Sequence, residues 1–213
     1  FTVDTTSPVI EILVDHVTID LNGHVIENGW LPTQDLARAC TRLGKRHPGA
    51  FVGIDAPRQP LERPREHYWR NGSWSARSNQ VGSGRHCEVA IAALRLANPQ
   101  WTPLADKAPE WMRHGFRIFT AFDRCGDIRT FEVFPSASYA QLEADTTAEI
   151  TMPLHGFLSG PKDMLDAVVA AYSVKEYIAG RGMAVGGGDG LGEIILPRPV
   201  AEPGHPVLEW PAR

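Results

Sequence analysis

The stretch Phe51-Val52-Gly53-Ile54-Asp55-Ala56-Pro57 decides the fold, because it is a short apolar run that ends in a single carboxylate and a proline. A run of this length between chain-breaking residues predicts a buried β-strand. Proline cannot donate to a sheet ladder, so we expect the strand to end at Asp55 or Ala56. Ligands of open α/β sheets bind at the carboxyl ends of the strands, which places Asp55 where chemistry would occur.

Composition sets limits on the class of protein. The 213 residues, 43% of them hydrophobic, are enough for one α/β domain with a sizeable core. The net charge of −4 argues against bulk electrostatic coating of nucleic acid but allows a local basic patch. The three cysteines lack any metal-ligand spacing and favour a reducing cytoplasm. No apolar segment approaches the roughly 18 residues of a membrane span, and no signal peptide is predicted.

Three strands and a helix are predicted before Phe51. Residues Phe1–Thr6 are expected to form the first strand. Residues 9–28 are rich in Val and Ile around Asn22-Gly23, a dipeptide that favours a tight hairpin turn, so they predict two antiparallel strands. Thr33 is placed to cap a helix over residues 34–45, where apolar residues recur at helical spacing.

Residues 58–86 have a different character from the rest of the chain. They contain six arginines against two glutamates, with aromatic residues between them and many Gly, Ser and Asn residues. A long segment without clear periodicity is typical of a functional or mobile loop, and we predict one here. Helices are expected to follow over residues 85–97 and 105–122.

The remaining chain predicts a second strand that ends in an acid. Residues 127–134 contain Glu132 and stop at Pro135, as the earlier strand stops after Asp55. A long helix is expected over residues 159–178 and a final strand over residues 193–196. Residues 1–197 therefore predict a single domain, and residues 198–213 an extended, proline-rich tail.

The acids at these positions predict a metal site. Asp4 and Asp55 come from strand ends, as does Glu132, and Asp163 and Asp166 are three residues apart on one helix face. Small alanines after Asp166 allow that helix to lie close to the sheet. Several carboxylates cannot all ionise in one pocket without cations between them. Oxygen ligands of this kind favour Mg²⁺ or Mn²⁺ over zinc.

Four motifs of the chain resemble those of the predicted-nuclease family catalogued as domain of unknown function 429. They are Gly53-Ile54-Asp55-Ala56-Pro57, Arg85-His86-Cys87-Glu88, Glu132-Val133-Phe134-Pro135 and the segment Asp163-Met164-Leu165-Asp166-Ala167-Val168-Val169-Ala170-Ala171. The resemblance covers roughly residues 51–197. It implies a ribonuclease H-like fold, with three antiparallel strands and then parallel strands in a mixed five-stranded sheet flanked by helices. The helix motif is also similar to that of the Holliday-junction resolvases, whose paired helix acids bind metal.

The resemblance implies a metal-dependent nuclease or a related phosphodiester hydrolase with a two-metal mechanism. Asp4 corresponds to the first-strand acid and Asp55 to the fourth-strand acid, and Asp163 and Asp166 to the helix pair. We therefore expect Asp4, Asp55 and Asp166 to be catalytic and, with Glu132 and Asp163, to bind Mg²⁺ or Mn²⁺. The expected nucleic-acid contacts come from six cations and one aromatic residue: Arg58, Arg65, Arg70, Trp74, Arg77, Arg85 and Lys162.

Alternatives remain open at this stage. Glu132 is equally suited to pair with a buried arginine such as Arg85, and Arg85 with Glu88 to form a structural pair at a helix start. Residues 3–7 also suggest an actin-like nucleotide-binding protein, but the Ala-Pro after Asp55 disfavours the second phosphate loop of that class. A noncatalytic nucleic-acid-binding module on the same fold is the third alternative.

Overall fold

The computed structural model describes residues 13–76, 82–145 and 161–211 of the chain. These residues form eight strands: β1 (Leu13–Ile19), β2 (Val25–Pro32), β3 (Phe51–Ile54), β4 (His67–Arg70), β5 (Ser73–Ala76), β6 (Arg129–Val133), β7 (Met183–Gly186) and β8 (Glu193–Leu196). They also form five α-helices: α1 (Leu36–Arg46), α2 (His86–Ala93), α3 (Glu110–Asp123), α4 (Pro135–Ala144) and α5 (Pro161–Ile178). The predicted α/β class is confirmed.

The main sheet has four strands in the order β3-β6-β8-β7. The pairs β3–β6 and β6–β8 are parallel, and β7 is antiparallel to β8 at the edge. Strand β3 is the opposite edge strand within the described residues. The carboxyl ends of β3 and β6 therefore lie side by side. Asp55 follows the first of these ends, and the sequence after Val133 follows the second.

The expected five-stranded sheet is not what the described residues form. Strands β1 and β2 make a separate antiparallel pair that packs on α5, and they are not hydrogen-bonded to β3. Their hairpin matches the prediction from Asn22-Gly23, with Gly23 at φ 96°. The predicted strand Phe1–Thr6, which contains Asp4, lies outside the described residues.

Helix α5 packs against β3 at a glycine. A Cβ atom on Gly53 would lie 3.0 Å from the carbonyl oxygen of Ala170 and 3.0 Å from a methyl group of Val174. Only the missing side chain lets the helix approach this closely. Successive strand side chains alternate between the two faces, so Asp55 leaves the sheet on the same side as Gly53, towards α5.

The other face of the sheet is covered by α1 and α3. Ile54 packs there with Leu36 of α1 and Phe119 of α3 in an apolar cluster of buried side chains. Helix α3 approaches the turn after Asp55 at Gly115, where a Cβ atom would lie 2.2 Å from the Cβ atom of Ala56. The chain around Asp55 is therefore fixed between α3 and α5.

Several predicted boundaries differ from the structure. Residues 58–86 are not one loop, because Asn71-Gly72 forms the turn of a hairpin that pairs β4 with β5. Thr33 makes no capping hydrogen bond and instead begins a short 3-10 turn before α1. The helix expected over 105–122 begins at Glu110, and α2 ends at Ala93. The tail includes a 3-10 turn over Pro206–Leu208.

None of the helices in the described ranges is both long enough and apolar enough to cross a bilayer.

Candidate functional site

A groove of about 850 Å³ runs between the β1–β2 pair and the edge strand β3, with α5 and α3 completing its walls. Five aspartates line it: Asp15 of β1, Asp20 directly after β1, Asp55 after β3, and Asp163 and Asp166 of α5. We call this the carboxylate groove. Three of these acids are among the predicted site residues, so the structure brings Asp55 together with the helix pair.

Asp55 is the most strongly perturbed acid of the groove. Its side chain is exposed to the groove but accepts no hydrogen bond from the part of the chain that the structure describes. Surrounding protein excludes much of the water, and this desolvation is the main cause that raises the pKa of Asp55 to about 7. The charge of Asp166 raises this pKa further, whereas Lys162 opposes the shift. Asp55 is therefore able to gain or lose a proton near neutral pH.

Asp166 is held in place by two donors. The Tyr139 hydroxyl of α4 donates to Asp166 Oδ1 at 2.9 Å, and Lys162 Nζ donates to Oδ2 at 2.8 Å. Lys162 lies one turn earlier on α5 and is 80% exposed at its side chain, so this pair is at the rim of the groove. Asp163 lies on the same helix face, three residues before Asp166.

Asp15 is a fourth acid that the sequence reasoning did not select. Burial is the main cause that raises the pKa of Asp15, and the charge of Asp163 adds to it. Its Oδ1 atom is buried without a hydrogen-bond partner among the described residues, as is the indole nitrogen of Trp30 on the neighbouring strand. Trp30 lies opposite Asp15 in the strand register, and hydrogen bonding from its side chain opposes the rise in the pKa of Asp15, so Asp15 has a donor beside it and is not singled out as a cation ligand.

The charge and donor type of the groove suit a hard divalent cation. Among the described residues that line it, five are aspartates and one, Lys175, is a lysine or arginine. Carboxylate oxygens are the ligands that Mg²⁺ and Mn²⁺ prefer. No three His, Cys, Asp or Glu side chains in residues 13–76, 82–145 and 161–211 lie close enough together to hold an ion. Mg²⁺ is commonly held by one or two carboxylates with water and substrate oxygens, and the groove meets that smaller requirement.

Glu132 points to the opposite face of the sheet from Asp55. The parallel register pairs Ile54 with Glu132, and Ile54 faces α3, whereas Phe131 and Val133 face α5. Glu132 instead accepts from Arg85 at 2.7 Å and 2.5 Å. The structure therefore forms the Arg85 pair that the sequence left open as the alternative, and it does not bring Glu132 into the carboxylate groove.

The Arg85–Glu132 pair belongs to a buried polar network. Glu88 Oε1 accepts from Arg85 Nε at 3.0 Å and Nη2 at 2.7 Å, and Glu88 Oε2 accepts from the Thr102 backbone N–H at 2.9 Å. Arg85, Glu88, Glu132 and Thr102 are each at most 5% exposed. Arg85 is thus committed to two glutamates and has a structural role at the start of α2.

The other predicted substrate contacts lie away from the carboxylate groove. Arg58 is stacked on Phe119, 4.4 Å from the ring centroid, and donates to Asp123 at 3.0 Å. Trp74 is packed edge-on against Trp69 and Trp210. Arg70 is at the exposed end of β4.

Arg65 lines a second cavity. Of the lysine and arginine residues that were predicted to contact substrate and that the structure describes, only Lys162 lies beside the groove acids. Arg77 lies outside the described residues, as does Asp4.

A residue that lines the groove and one that donates to a groove acid were missed at the sequence level. Asp15 lies among Leu13, Val17 and Ile19 in the alternation of β1, and a lone acid on the apolar side of a strand was a usable signal. Tyr139 gave no comparable signal, because its helix has no marked amphipathic pattern.

Comparison with protein-family models found no match, and neither curated proteins nor solved structures gave one.

Proposed function

We propose that the carboxylate groove is the active site of a divalent-cation-dependent phosphodiester hydrolase, a nuclease on a ribonuclease H-like fold. The observation that carries the proposal is the meeting of Asp55, Asp163 and Asp166 in one groove, where desolvation and then the charge of Asp166 raise the pKa of Asp55 to about 7. Because the ionised form of Asp55 is unfavourable in the groove, a bound cation would stabilise that form through its opposite charge.

The cation would be held by Asp55 together with Asp163 or Asp166, and it would be Mg²⁺ or Mn²⁺. When bound, such an ion polarises a phosphoryl oxygen and lowers the pKa of its water. The two-ion form implied by the family resemblance also requires Asp4, which lies outside the described residues.

The residues of the chain supply orientation, positive charge and a carboxylate ligand. Tyr139 and Lys162 fix the Asp166 carboxylate through two hydrogen bonds. Lys162 also adds a positive charge at the rim, where a phosphate group would enter. Asp55, with its pKa of about 7 in the cation-free site, would release its proton and become a carboxylate ligand when the cation binds.

The fold gives partial support. The antiparallel hairpin followed by the parallel strands β3 and β6 is compatible with the strand sequence of a ribonuclease H-like sheet. Under this proposal, the acid after β3 and the acid pair on α5 would correspond to the strand and helix acids of the family motifs.

The test is cleavage of labelled single-stranded DNA, duplex DNA, branched DNA and RNA in Mg²⁺ or Mn²⁺. We expect cation-dependent cleavage of at least one substrate, reduced about 100-fold or more in Asp55→Asn and Asp166→Asn. Asp106→Asn, an exposed acid in a 3-10 turn outside the groove, is the matched control and is expected to retain activity. Binding of these substrates without cleavage by the wild type would instead support the noncatalytic module. Equal activity in all four proteins would place the chemistry elsewhere.

A further inference from the structure

A second cavity, of about 390 Å³, shares no lining residue with the carboxylate groove. Its wall is formed by residues 61–66, the glycine-rich turn around Asp189, and Trp210. Arg65 lines it from the segment that leads into β4. We call it the Arg65 cavity.

Arg65 is half-buried, and its guanidinium has donors to spare. Its Nε and Nη1 atoms are buried without a hydrogen-bond partner among the described residues. Buried guanidinium groups are normally paired, because an unpaired buried charge is costly. The ring of Tyr68 lies 4.8 Å from the guanidinium carbon and that of Trp101 lies 5.4 Å away, and these rings hold the group in position without satisfying its donors.

The charges of Glu88 and Asp189 favour the charged form of Arg65, but no neighbouring acid among the described residues accepts a hydrogen bond from its Nε or Nη1. Glu66 pairs with Arg63 at 3.0 Å, and the Asp189 carboxylate accepts the backbone N–H groups of His86 and Leu191 at 2.7 Å and 3.0 Å. Glu88 is saturated by Arg85 and Thr102, and Glu62 is exposed to solvent.

The backbone leaves room for this arrangement. Gly84 has a φ of 94°, and a Cβ atom there would lie 2.4 Å from Trp101 and 2.8 Å from Arg65 Nη1. A glycine at this position therefore allows both the turn and the stacked guanidinium.

We propose that the Arg65 cavity binds a phosphate group of a nucleic-acid strand, with Arg65 donating to the phosphate oxygens. A phosphate supplies the charge and the acceptors that Arg65 lacks, and guanidinium groups suit it geometrically. Trp101, which is 41% exposed beside Arg65, offers a face on which a base stacks. The choice of nucleic acid over other phosphate-bearing molecules rests on the proposed function.

The test is titration of the full chain with the dinucleotide TpT, inorganic phosphate and thymidine, in chelator and without divalent cations. Binding is followed by tryptophan fluorescence and calorimetry. We expect saturable binding of TpT and of inorganic phosphate, TpT more tightly, and no binding of thymidine. Arg65→Gln should weaken phosphate and TpT binding about tenfold or more.

Two variants keep the result interpretable. Arg65→Lys retains the positive charge but loses the planar guanidinium with its paired donors. If Arg65→Gln does not fold, phosphate and TpT binding are compared between the wild type and Arg65→Lys instead. Arg38→Gln removes an exposed, carboxylate-paired arginine of α1 that does not line the cavity and should stay within about twofold of the wild type. Salt should weaken binding to the wild type more than to Arg65→Gln.

Absence of saturable phosphate binding would overturn the proposal, and so would equal binding by the wild type and both Arg65 variants. Binding of inorganic phosphate without TpT would overturn the assignment to nucleic acid. The binding titration does not depend on cleavage. If the wild type cleaves no substrate in the nuclease assay described above, the proposed function is refuted, but the result for phosphate binding at Arg65 still stands.

Discussion

Replacing Asp55 by asparagine is predicted to stabilise the protein at high pH. The pKa of Asp55 is raised from 3.8 to about 7 in the folded protein, first by desolvation and then by Asp166. The stabilising effect of holding the proton is fully present below the unfolded pKa and is lost as the pH rises from about 4 to about 7. Asparagine carries no charge at any of these pH values and does not share the loss.

The size of the stability change follows from the pKa shift of Asp55 and from the exposure of its side chain. Taken in full, the difference between 3.8 and about 7 corresponds to about 4 kcal/mol. Asp55 is exposed to the groove, so solvent screening reduces this to about 1–2 kcal/mol. The Asp55→Asn variant should therefore match the wild type near pH 4 and exceed its free energy of unfolding by about 1–2 kcal/mol at pH 8.

The assay is urea denaturation at pH 5, 6.5 and 8 in chelator, followed by circular dichroism. Glu27→Gln is a control of opposite sign. Burial opposes the charge of Glu27, but hydrogen bonds from His47 and Arg46 outweigh it and lower its pKa to about 2, so this variant should lose stability at pH 8. A gain for Asp55→Asn that is the same at all three pH values would refute the electrostatic account, as would a loss at pH 8.

Three further substitutions probe the supports of the site. Arg85→Met leaves two buried glutamates without their shared partner and should lower the free energy of unfolding by about 3–5 kcal/mol; a loss below 1 kcal/mol would contradict the buried network. Gly115→Ala forces a methyl group against Ala56 and should cost about 1–3 kcal/mol and reduce cleavage, whereas unchanged values would contradict the close packing. Tyr139→Phe removes a donor that orients Asp166, so it should cost about 1 kcal/mol and weaken Mn²⁺ binding in calorimetry; unchanged or tighter binding would contradict that orienting role.

The surface pair Arg63–Glu66 provides the common reference for these stability measurements. Its side chains are 64% and 39% exposed, so Arg63→Ala should change stability by less than about 1 kcal/mol.

Local signals were sufficient to predict the elements that hold the acids. The run from Phe51 to Pro57 gave β3 because it is apolar, short and ended by proline. The final strand Glu193–Leu196 was predicted with its observed bounds, and Asn22-Gly23 gave the first hairpin. The same dipeptide at Asn71-Gly72 marks the β4–β5 turn, and the arginine-rich composition of the segment obscured it.

Tertiary arrangement was harder to predict, because it depends on faces and register. Glu132 resembles Asp55 in its sequence context, but the strand register pairs Glu132 with Ile54, the residue before Asp55. Because consecutive residues of a strand point to opposite faces, Glu132 and Asp55 lie on opposite faces of the sheet. Asp15 reaches the groove only because the β1–β2 pair packs on α5. The partners of Arg58 and Trp74 are likewise distant in sequence, so composition alone suggested a nucleic-acid surface where the structure shows packed side chains.

Calorimetric titration of Mn²⁺ at pH 6.5, in two buffers of different ionisation enthalpy, tests the carboxylate groove most directly. Asp55, with its pKa of about 7, is partly protonated at this pH, so a bound cation must displace its proton. We predict saturable binding that releases about half to one proton, with both the binding and the release strongly reduced in Asp55→Asn. Absence of saturable binding, or binding with the same affinity and proton release in Asp55→Asn, would contradict a cation site in the carboxylate groove.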